Sequence, residues 1–283
     1  MTTRSRAELF LLSITLIWGS TFVTSKYLLE TLSPLMYIGI RFACATAIFA
    51  LMFPRKVFST PKSSWVKGGI LGVLLFSGFA SQTIGLQYTG ASKSAFITGM
   101  MVVFTPLCQL LIERRAPKIG NIIGIVLVSF GLYFLTSPGG SEFNLGDGLN
   151  LVCAVTFGFY IVYLDVFSKD HDAVHLTMAQ FVTCTVLGVA GGILFETVRF
   201  TPTLGGIFAL AYLIVFATVI ALYVQNRFQK DTTPTRSALI FSVEPVLAAV
   251  FAYLLLGEVL GVIGILGGAL IVGGVLVSEL SPG

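Results

Sequence analysis

Long, uninterrupted apolar runs constrain this chain more than any other feature of its sequence. A helix rises about 1.5 Å per residue, so about 20 apolar residues cross the hydrocarbon core of a bilayer. The runs lack an alternating period of two, which predicts helices rather than the strands of a barrel. Ten stretches qualify as membrane-spanning helices: residues 9–29, 34–53, 66–86, 93–112, 119–136, 148–167, 175–196, 205–226, 235–256 and 259–278.

Few charged residues are available to cover a soluble surface. Asp, Glu, Lys and Arg make up 11% of the 283 residues, against about 25% in a soluble globular domain. We therefore expect the apolar side chains to face lipid. The first run follows Arg4 and Arg6, as in a signal peptide, but it has no small-residue cleavage site and a second run follows at once. We expect this run to be kept as the first helix.

The basic residues predict the orientation of the helices, because Lys and Arg accumulate in cytoplasmic loops. With the N-terminus in the cytoplasm, only Lys93 and Arg199 fall in outer loops, and Lys26 and Arg41 lie within or at the end of helices. The other basic residues fall on the cytoplasmic side: Arg4, Arg6, Arg55, Lys56, Lys62, Lys67, Arg114, Arg115, Lys118, Lys169, Arg227, Lys230 and Arg236. This predicts a multi-pass protein of the plasma membrane (the inner membrane in a bacterium) with both termini in the cytoplasm.

The two halves of the sequence show an internal repeat. One constant offset in residue number, here called the later offset, relates Gln82 to Gln225, Thr89 to Thr232, Lys93 to Arg236, Gly124 to Gly267 and Gly131 to Gly274. Nearer the start of each half, a slightly smaller constant offset, here called the early offset, relates Trp18 to Phe157, Gly19 to Gly158, Arg41 to Gln180 and Phe42 to Phe181. Each half holds five predicted helices, an odd number, so the second half must be inserted upside down. The sequence therefore predicts an all-α membrane protein of two inverted five-helix repeats, residues 1–140 and 141–283.

Inverted repeats are typical of alternating-access transporters, which bind substrate near the membrane midplane between the repeats. A duplicated membrane protein need not transport anything, so a non-transport scaffold and a facilitative, channel-like pore stay open as alternatives. An enzyme is not expected, because the sequence has no His-Glu-x-x-His motif and no paired intramembrane aspartates. It also lacks a phosphate-binding loop for ATP-driven transport.

Several short motifs together cover nearly the whole chain: Trp18-Gly19-Ser20-Thr21-Phe22, Arg41-Phe42, Gln87-Tyr88-Thr89 with Ala95-Phe96, Ala238-Leu239 through Glu244-Pro245, Leu256-Gly257-Glu258 and Gly267-Gly268-Ala269-Leu270-Ile271. With these motifs the chain resembles the EamA-type transporters of the drug/metabolite transporter superfamily. It departs from the pattern at Arg115, where the second half has Glu258. The resemblance implies ten helices around a central cavity and the export of amino acids, purines or other small metabolites.

Ionisable residues inside the predicted helices are candidates for chemistry, because each costs about 2.5–3.5 kcal/mol to insert. Glu244 stands before Pro245 near the middle of the ninth helix. It could respond to protons or cations, bind a substrate amine, or bond backbone donors freed at a proline kink. Arg41 could bind a substrate carboxylate, pair with an acid, or extend to the membrane surface.

Lys26 and its repeat counterpart Asp165 lie near opposite ends of their helices. One hypothesis makes them gating charges, one at each membrane face; alternatively, Lys26 pairs with Glu30 one helical turn later. Pro245 and Pro106 are predicted flexible points for a rocking motion, since proline removes a helical hydrogen bond.

Polar and aromatic residues at helical spacing are predicted to line the cavity, with helix packing as the alternative. An amide in hydrocarbon must find a hydrogen bond, so the two glutamines should point inward. The predicted lining consists of Trp18, Thr21, Ser25, Gln82, Phe96, Met100, Phe157, Tyr160, Tyr163, Gln225 and Glu244.

The expected partners are a small-molecule substrate, such as an amino acid, and the lipid bilayer. We expect no nucleic acid and no cofactor. We also expect no metal, because Asp170-His171-Asp172 with His175 lacks a diagnostic ligand spacing. We also expect the chain to function as a monomer.

Overall fold

The computed structural model of the chain describes residues 2–136, 143–201, 203–256 and 261–280. The predicted boundary between the halves, at residues 140 and 141, lies outside the described residues, as do Gly257 and Glu258 of the predicted motif. The described residues form these α-helices: α1 (Thr3–Gly19), α2 (Thr21–Leu28), α3 (Pro34–Met52), α4 (Pro54–Phe58), α5 (Lys62–Gly85), α6 (Ala91–Gly99), α7 (Met101–Glu113), α8 (Ile119–Thr136), α9 (Leu145–Ser168), α10 (Ala173–Phe195), α11 (Leu204–Tyr212), α12 (Ala221–Phe228), α13 (Pro234–Phe241), α14 (Glu244–Leu256) and α15 (Val262–Leu280).

Within the described part of the chain, eight helical segments are long and apolar enough to cross a membrane: Thr3–Leu28, Pro34–Met52, Lys62–Gly85, Ala91–Glu113, Leu145–Ser168, Ala173–Phe195, Leu204–Asp231 and Pro234–Leu255. α8 and α15 add shorter apolar stretches at Ile119–Phe134 and Ile265–Val277. The prediction of a nearly all-helical membrane protein is confirmed, and helices occupy most of every predicted stretch as far as the structure describes it.

Several of the long segments are interrupted along their length. Turns at Ser20, at Met100 and at Ser242 separate α1 from α2, α6 from α7 and α13 from α14. A π-helical stretch, Leu213–Ile220, joins α11 to α12. The breaks at Met100 and Ser242 precede Pro106, inside α7, and Pro245, in the first turn of α14. Whether the two prolines are flexible points stays a prediction.

Polar residues fix where helices begin. Asn144 and Asp147 form a capping box at the start of α9: the Asp147 N–H donates to Asn144 Oδ1 over 3.0 Å, and the Asn144 N–H donates to Asp147 Oδ2 over 2.9 Å. At the start of α3 the carboxylate of Glu196 accepts the N–H groups of Leu35 and Met36. Free N–H groups at helix starts favour negative charge, which explains the acidic residues at these positions.

The helix ends meet on two faces. The N-terminal face holds the helix ends near residues 8, 56, 113, 169 and 232, which are joined by the pairs Glu8–Arg236, Lys56–Asp172 and Glu113–Lys169. The opposite face holds the ends near residues 30, 90, 145 and 200, which are joined by contacts such as Lys93–Asp147 and the Arg199 N–H with Ser33 Oγ.

Glycines let α8 and α15 approach backbone to backbone. A Cβ added to Gly131 would lie 2.7 Å from the carbonyl oxygen of Gly267, and one added to Gly274 would lie 2.8 Å from that of Gly124. Since the residue number falls along α15 as it rises along α8, the two helices are antiparallel. Small residues at such crossings are typical of helix packing in lipid.

Candidate functional site

A cavity of about 50 Å³ lies among the helices, well inside the apolar part of the protein. At roughly 10–15 Å³ for each water molecule, it has room for a few waters. The helices α1, α2, α3, α5, α6, α7, α9, α12, α13 and α14 all contribute to it. Its lining consists of Trp18, Thr21, Arg41, Leu75, Phe79, Gln82, Thr98, Met101, Phe157, Tyr160, Ile161, Leu222, Gln225, Phe241 and Glu244.

Arg41 supplies a positive charge to the cavity. Its side chain is buried and donates from Nε to Thr218 Oγ1 over 2.6 Å and from Nη1 to the Tyr37 hydroxyl over 3.0 Å. The guanidinium also lies 5.0 Å from the ring centre of Phe79, within the range of a cation–π contact. Among the residues that the structure describes, no carboxylate forms an ion pair with Arg41.

The π-helical stretch of Leu213–Ile220 holds Arg41 in place. Its wider turns leave the Ala217 carbonyl free to accept from Trp18 Nε1 over 3.1 Å. The Thr218 hydroxyl, which accepts from Arg41, donates back to the Leu213 carbonyl in the preceding turn. π-Helical turns are rare and occur frequently at functional sites. Here the turn orients both an aromatic wall and the cationic group of the cavity.

Glu244 supplies a carboxyl group to the same cavity from the first turn of α14. Within the described part of the chain, its carboxylate has neither a hydrogen-bond donor nor an ion-pair partner. The cavity therefore contains a guanidinium and a carboxyl group that are not paired with each other. An unpaired buried charge is costly, and a ligand that supplies the opposite charge would reduce that cost.

A half-buried amide, a buried amide and a phenol complete the polar part of the lining. Gln82 Nε2 donates to Thr98 Oγ1 over 3.3 Å, and Gln225 Nε2 donates to Gln229 Oε1 over 2.9 Å. Tyr160 is almost fully buried and donates to Gln180 Oε1 over 2.8 Å. These bonds fix the orientation of the groups that border the cavity, as expected for amides in an apolar interior.

The structure brings together most of the residues predicted to form the site and leaves others elsewhere. Trp18, Thr21, Gln82, Phe157, Tyr160, Gln225, Glu244 and Arg41 line the cavity, whereas Ser25, Phe96, Met100 and Tyr163 do not. Ser25 Oγ lies 3.0 Å from the Tyr37 hydroxyl, and Tyr163 packs on the ring of Phe167. Phe96 packs on the apolar cluster that includes Leu132 and Leu239, and Met100 forms the turn before α7.

The lining also includes residues that the sequence alone did not single out: Leu75, Phe79, Thr98, Met101, Ile161, Leu222 and Phe241. Apolar residues in an apolar helix have no pattern that marks them as cavity residues. The internal repeat was the available signal, since the later offset relates Met101 to Glu244, Thr98 to Phe241 and Phe79 to Leu222.

The two predicted gating charges lie on different faces. Lys26, on the opposite face, donates to the Thr89 carbonyl over 3.1 Å. Asp165, towards the N-terminal face, is buried and accepts from Lys169 Nζ over 2.6 Å. Burial opposes the charge of Lys169, but the nearby carboxylates of Asp165 and Glu113 outweigh burial and raise the pKa of the ammonium above its ordinary value. Their part in gating stays a hypothesis.

Comparison with known proteins gives matches across the whole chain. The model of the EamA-like transporter family matches residues 5–137 and, separately, residues 144–280. An uncharacterized transporter of Archaeoglobus fulgidus is 33% identical over 277 residues, which cover 98% of this chain and 87% of the relative. A Chlamydia muridarum protein named S-adenosylmethionine/S-adenosylhomocysteine transporter is 24% identical over 260 residues, or 86% of this chain and 81% of the relative.

A solved structure shares the fold. That protein is 20% identical in sequence, superposes with a TM-score of 0.81 and matches 98% of this chain and 97% of its own. The family matches confirm the resemblance that the motifs of the sequence indicate, and they agree with the membrane-spanning helices. The relatives are named as transporters rather than enzymes, and the chain is accordingly a membrane transporter. The chain belongs to the EamA-like transporter family.

Proposed function

We propose that the chain is an alternating-access exporter of zwitterionic metabolites, such as amino acids or larger molecules that carry an amino acid group. The observation that supports this most directly is that a guanidinium and a carboxyl group, those of Arg41 and Glu244, lie at one apolar cavity. A substrate carboxylate accepts from the guanidinium, and a substrate amine donates to the carboxylate. Such charge-assisted bonds are roughly twice as strong as neutral ones, and they are stronger still in an apolar interior.

Aromatic walls suit the rest of such a substrate. Trp18 and Phe241 pack edge to face with ring centres 5.3 Å apart, and Phe79 and Phe157 do so at 5.8 Å. Flat apolar surfaces with a few placed polar groups are typical of small-molecule sites. Both molecules in the name of the Chlamydia muridarum relative contain an amino acid group, which fits the proposed class of substrate.

Two inverted repeats provide the proposed mechanism. The cavity is lined by repeat partners from both halves: Trp18 and Phe157, Thr21 and Tyr160, Phe79 and Leu222, Gln82 and Gln225, Thr98 and Phe241, and Met101 and Glu244. The separate family matches to residues 5–137 and 144–280 support the same division. We infer a pseudo-two-fold axis through the cavity, in the membrane plane, as in other inverted-repeat transporters.

Contacts between helices support this axis. Gly131 lies against Gly267, and Gly274 lies against Gly124. Since the later offset relates Gly131 to Gly274 and Gly124 to Gly267, the two contacts are repeat counterparts of each other. This reciprocity is the property of a two-fold interface. The antiparallel crossing of α8 and α15 fits helices that are inserted in opposite directions.

The cavity must widen to accept a metabolite. Its volume of about 50 Å³ is well below the roughly 300–1,000 Å³ of ligand pockets. In the proposed cycle the helices rock about their midplane breaks, at Ser20, Met100 and Ser242, and open the cavity to one face at a time. The basic residues assign the N-terminal face to the cytoplasm. We further propose that the protein works as a monomer in the plasma membrane, or the inner membrane of a bacterium.

Counterflow in proteoliposomes tests this function. Proteoliposomes that contain the purified chain are loaded with excess unlabelled compound. They are then presented with labelled amino acids, S-adenosylmethionine, purines and polyamines in turn. We expect saturable, trans-stimulated uptake of compounds with an amino acid group. Arg41→Gln should weaken the apparent affinity for them about ten- to hundredfold, because a hydrogen bond to a charged group contributes about 1.5–3 kcal/mol. Glu244→Gln should alter the flux or its pH dependence.

Lys56→Ala is the matched control, since Lys56 is an exposed cation in α4, away from the cavity. This variant should transport like the parent chain. Flux that does not saturate and shows no counterflow would indicate a channel-like pore. The absence of any flux from folded protein would favour a scaffold, and saturable flux that needs neither Arg41 nor Glu244 would refute the proposed substrate class.

A further inference from the structure

Two ion pairs close the ends of two helix pairs on opposite faces. On the N-terminal face, Arg236 Nη1 lies 3.3 Å from Glu8 Oε1, and the Thr232 hydroxyl donates to the same oxygen over 3.0 Å. We call this group the N-terminal latch. It joins the start of α1 to the start of α13.

On the opposite face, Lys93 Nζ lies 2.7 Å from Asp147 Oδ2, and the Thr89 hydroxyl donates to Asp147 Oδ1 over 3.1 Å. We call this group the opposite latch. It joins the start of α6 to the start of α9, and Thr89 and Lys93 border an open pocket of about 370 Å³ on that face.

The two latches are related by the internal repeat, residue by residue. The early offset, which relates Trp18 to Phe157, also relates Glu8 to Asp147. The later offset relates the other two pairs, Thr89 with Thr232 and Lys93 with Arg236. An acid, a hydroxyl and a base thus occupy matched positions and make matched contacts. A packing requirement at one membrane face would not account for the same three groups at the other face.

Both latches are poorly hydrated. The side chains of Arg236 and Glu8 are 5% and 14% exposed, and those of Lys93 and Asp147 are 28% and 0% exposed. Removing Lys93 takes the ammonium from the buried carboxylate of Asp147, and removing Arg236 breaks the contact between α1 and α13 while Glu8 keeps its bond from Arg4. In each case the helix pair loses an ion pair that holds its end closed. The loss of a latch therefore favours the conformation in which that end is open.

Each latch lies some distance along its helix from a glycine at which that helix crosses a neighbour. About three helical turns after Glu8, Gly19 lies against the backbone of Ala248; the same distance after Asp147, Gly158 lies against the backbone of Thr105. Three turns of helix span about 16 Å, so a rotation of roughly 15° about the glycine crossing would separate the charged ends by about 4 Å. That separation is enough to break either ion pair.

We infer that these ion pairs are the two gates of the transport cycle. The opposite latch opens to release or admit substrate at its face while the N-terminal latch stays closed. The N-terminal latch opens at the other face while the opposite latch stays closed. This inference rests on the alternating-access function proposed above. In the present structure both latches are closed around a small cavity.

Side-specific labelling of a cavity cysteine tests the inference without needing the substrate. The parent variant carries Thr21→Cys at the cavity and Cys44→Ser, since Cys44 is exposed and the other native cysteines are buried. A membrane-impermeant cationic methanethiosulfonate is applied to right-side-out and to inverted membrane vesicles. Lys93→Ala should raise labelling from the opposite face about threefold or more and lower it from the N-terminal face. Arg236→Ala should do the reverse.

Conserving the charges of each latch provides the second arm. Lys93→Arg and Arg236→Lys, each made alone, should leave both labelling rates within about twofold of the parent, because each keeps the ion pair and leaves Asp147 in the capping box of α9. If an alanine variant does not fold, as judged by size-exclusion chromatography, another variant of the same latch replaces it. Lys93→Gln then replaces Lys93→Ala, and Glu8→Gln replaces Arg236→Ala. Lys56→Ala is the matched control: it breaks an exposed pair of 2.7 Å with Asp172 that has no acid and base at the repeat-related positions, Phe195 and Ser33. It should leave both rates unchanged.

The results separate failure of the gates from failure of the proposed function. Equal changes from both faces, or no change in either variant, would refute the latches even when the parent chain shows counterflow. Opposite changes from the two faces would support the latches even when no compound of the panel is transported, in which case the substrate class is what fails.

Discussion

Two adjacent glycines of α5 offer a direct test of how the helices pack. Gly68 faces α10: a Cβ at this position would lie 2.5 Å from Ala179 Cβ and 3.0 Å from the Leu176 carbonyl oxygen. Gly69 is one residue along the same helix, and a Cβ there would meet only Thr183 Oγ1, at 3.9 Å. Alanine therefore collides at one position and fits at the next.

The expected free energies follow from these distances. Forcing a methyl group into a packed interior costs about 1–3 kcal/mol, whereas replacing glycine by alanine inside a helix gains up to about 1 kcal/mol. Gly68→Ala should therefore lower the free energy of unfolding by up to about 2 kcal/mol, and Gly69→Ala should leave it unchanged or raise it by up to about 1 kcal/mol. The two variants should differ by about 1–3 kcal/mol, the cost of the methyl group in the packed interior.

Thermal unfolding in detergent, followed by intrinsic tryptophan fluorescence, measures the difference. Since about 1 kcal/mol shifts the Tm of a protein of roughly 150–250 residues by about 2–4 °C, Gly68→Ala should melt several degrees below Gly69→Ala. Equal melting temperatures for the two variants would refute the close approach of α5 and α10. Helix propensity could not explain a difference, because both glycines lie in the same helix.

Two further predictions concern Arg41 and the N-terminal face. Thr218→Val removes the hydroxyl that accepts from Arg41 and should weaken substrate affinity about tenfold in counterflow, whereas Thr218→Ser should keep it; equal losses in both would assign the effect to packing. Burial raises the pKa of Asp172, but the hydrogen bonds from Lys56 and from the Val174 N–H outweigh it and hold that pKa below its ordinary value. The pair's contribution to stability is thus complete above the unfolded value of about 3.9 and is lost as the pH falls through the folded pKa. Asp172→Asn, which retains the cap on Val174, should flatten the acid limb of a plot of Tm against pH, and an unchanged limb would contradict this reasoning.

The helices could be predicted from the sequence because lipid leaves the backbone no alternative. Every N–H and C=O group in hydrocarbon needs an internal partner, so a long apolar run must be a helix. The ends were less certain. The predicted stretch 148–167 is observed as Leu145–Ser168, since the capping box of Asn144 and Asp147 extends the helix into polar sequence that hydropathy does not include.

The cavity could be predicted only in part, because helical spacing assumes an unbroken helix. Ser25 is in phase with Trp18 and Thr21 on a continuous helix, but the turn at Ser20 reorients α2 and directs Ser25 to Tyr37. Phe79 has no such pattern to reveal it, because its neighbours along α5 are also apolar. Only the repeat offset, applied to the cavity residues of the other half, points to it.

The differences between the two halves bear on the face to which the resting protein opens. In the proposed cycle, two identical inverted halves would make the state open to one face and the state open to the other equal in energy. A bias between these states would then come from residues that differ between repeat partners. The latches differ in this way. Glu8 accepts from both Arg4, over 2.8 Å, and Arg236, whereas the more exposed Lys93 is the cation that pairs with Asp147.

Because hydrated ion pairs contribute less than dehydrated ones, the opposite latch should open at the lower cost. The parent cysteine variant should therefore be labelled faster from the opposite face than from the N-terminal face before any latch is changed. Exchanging the cations, with Lys93→Arg and Arg236→Lys together, should reduce that difference. If labelling is already faster from the N-terminal face, the strength of the latches is not what sets the resting conformation.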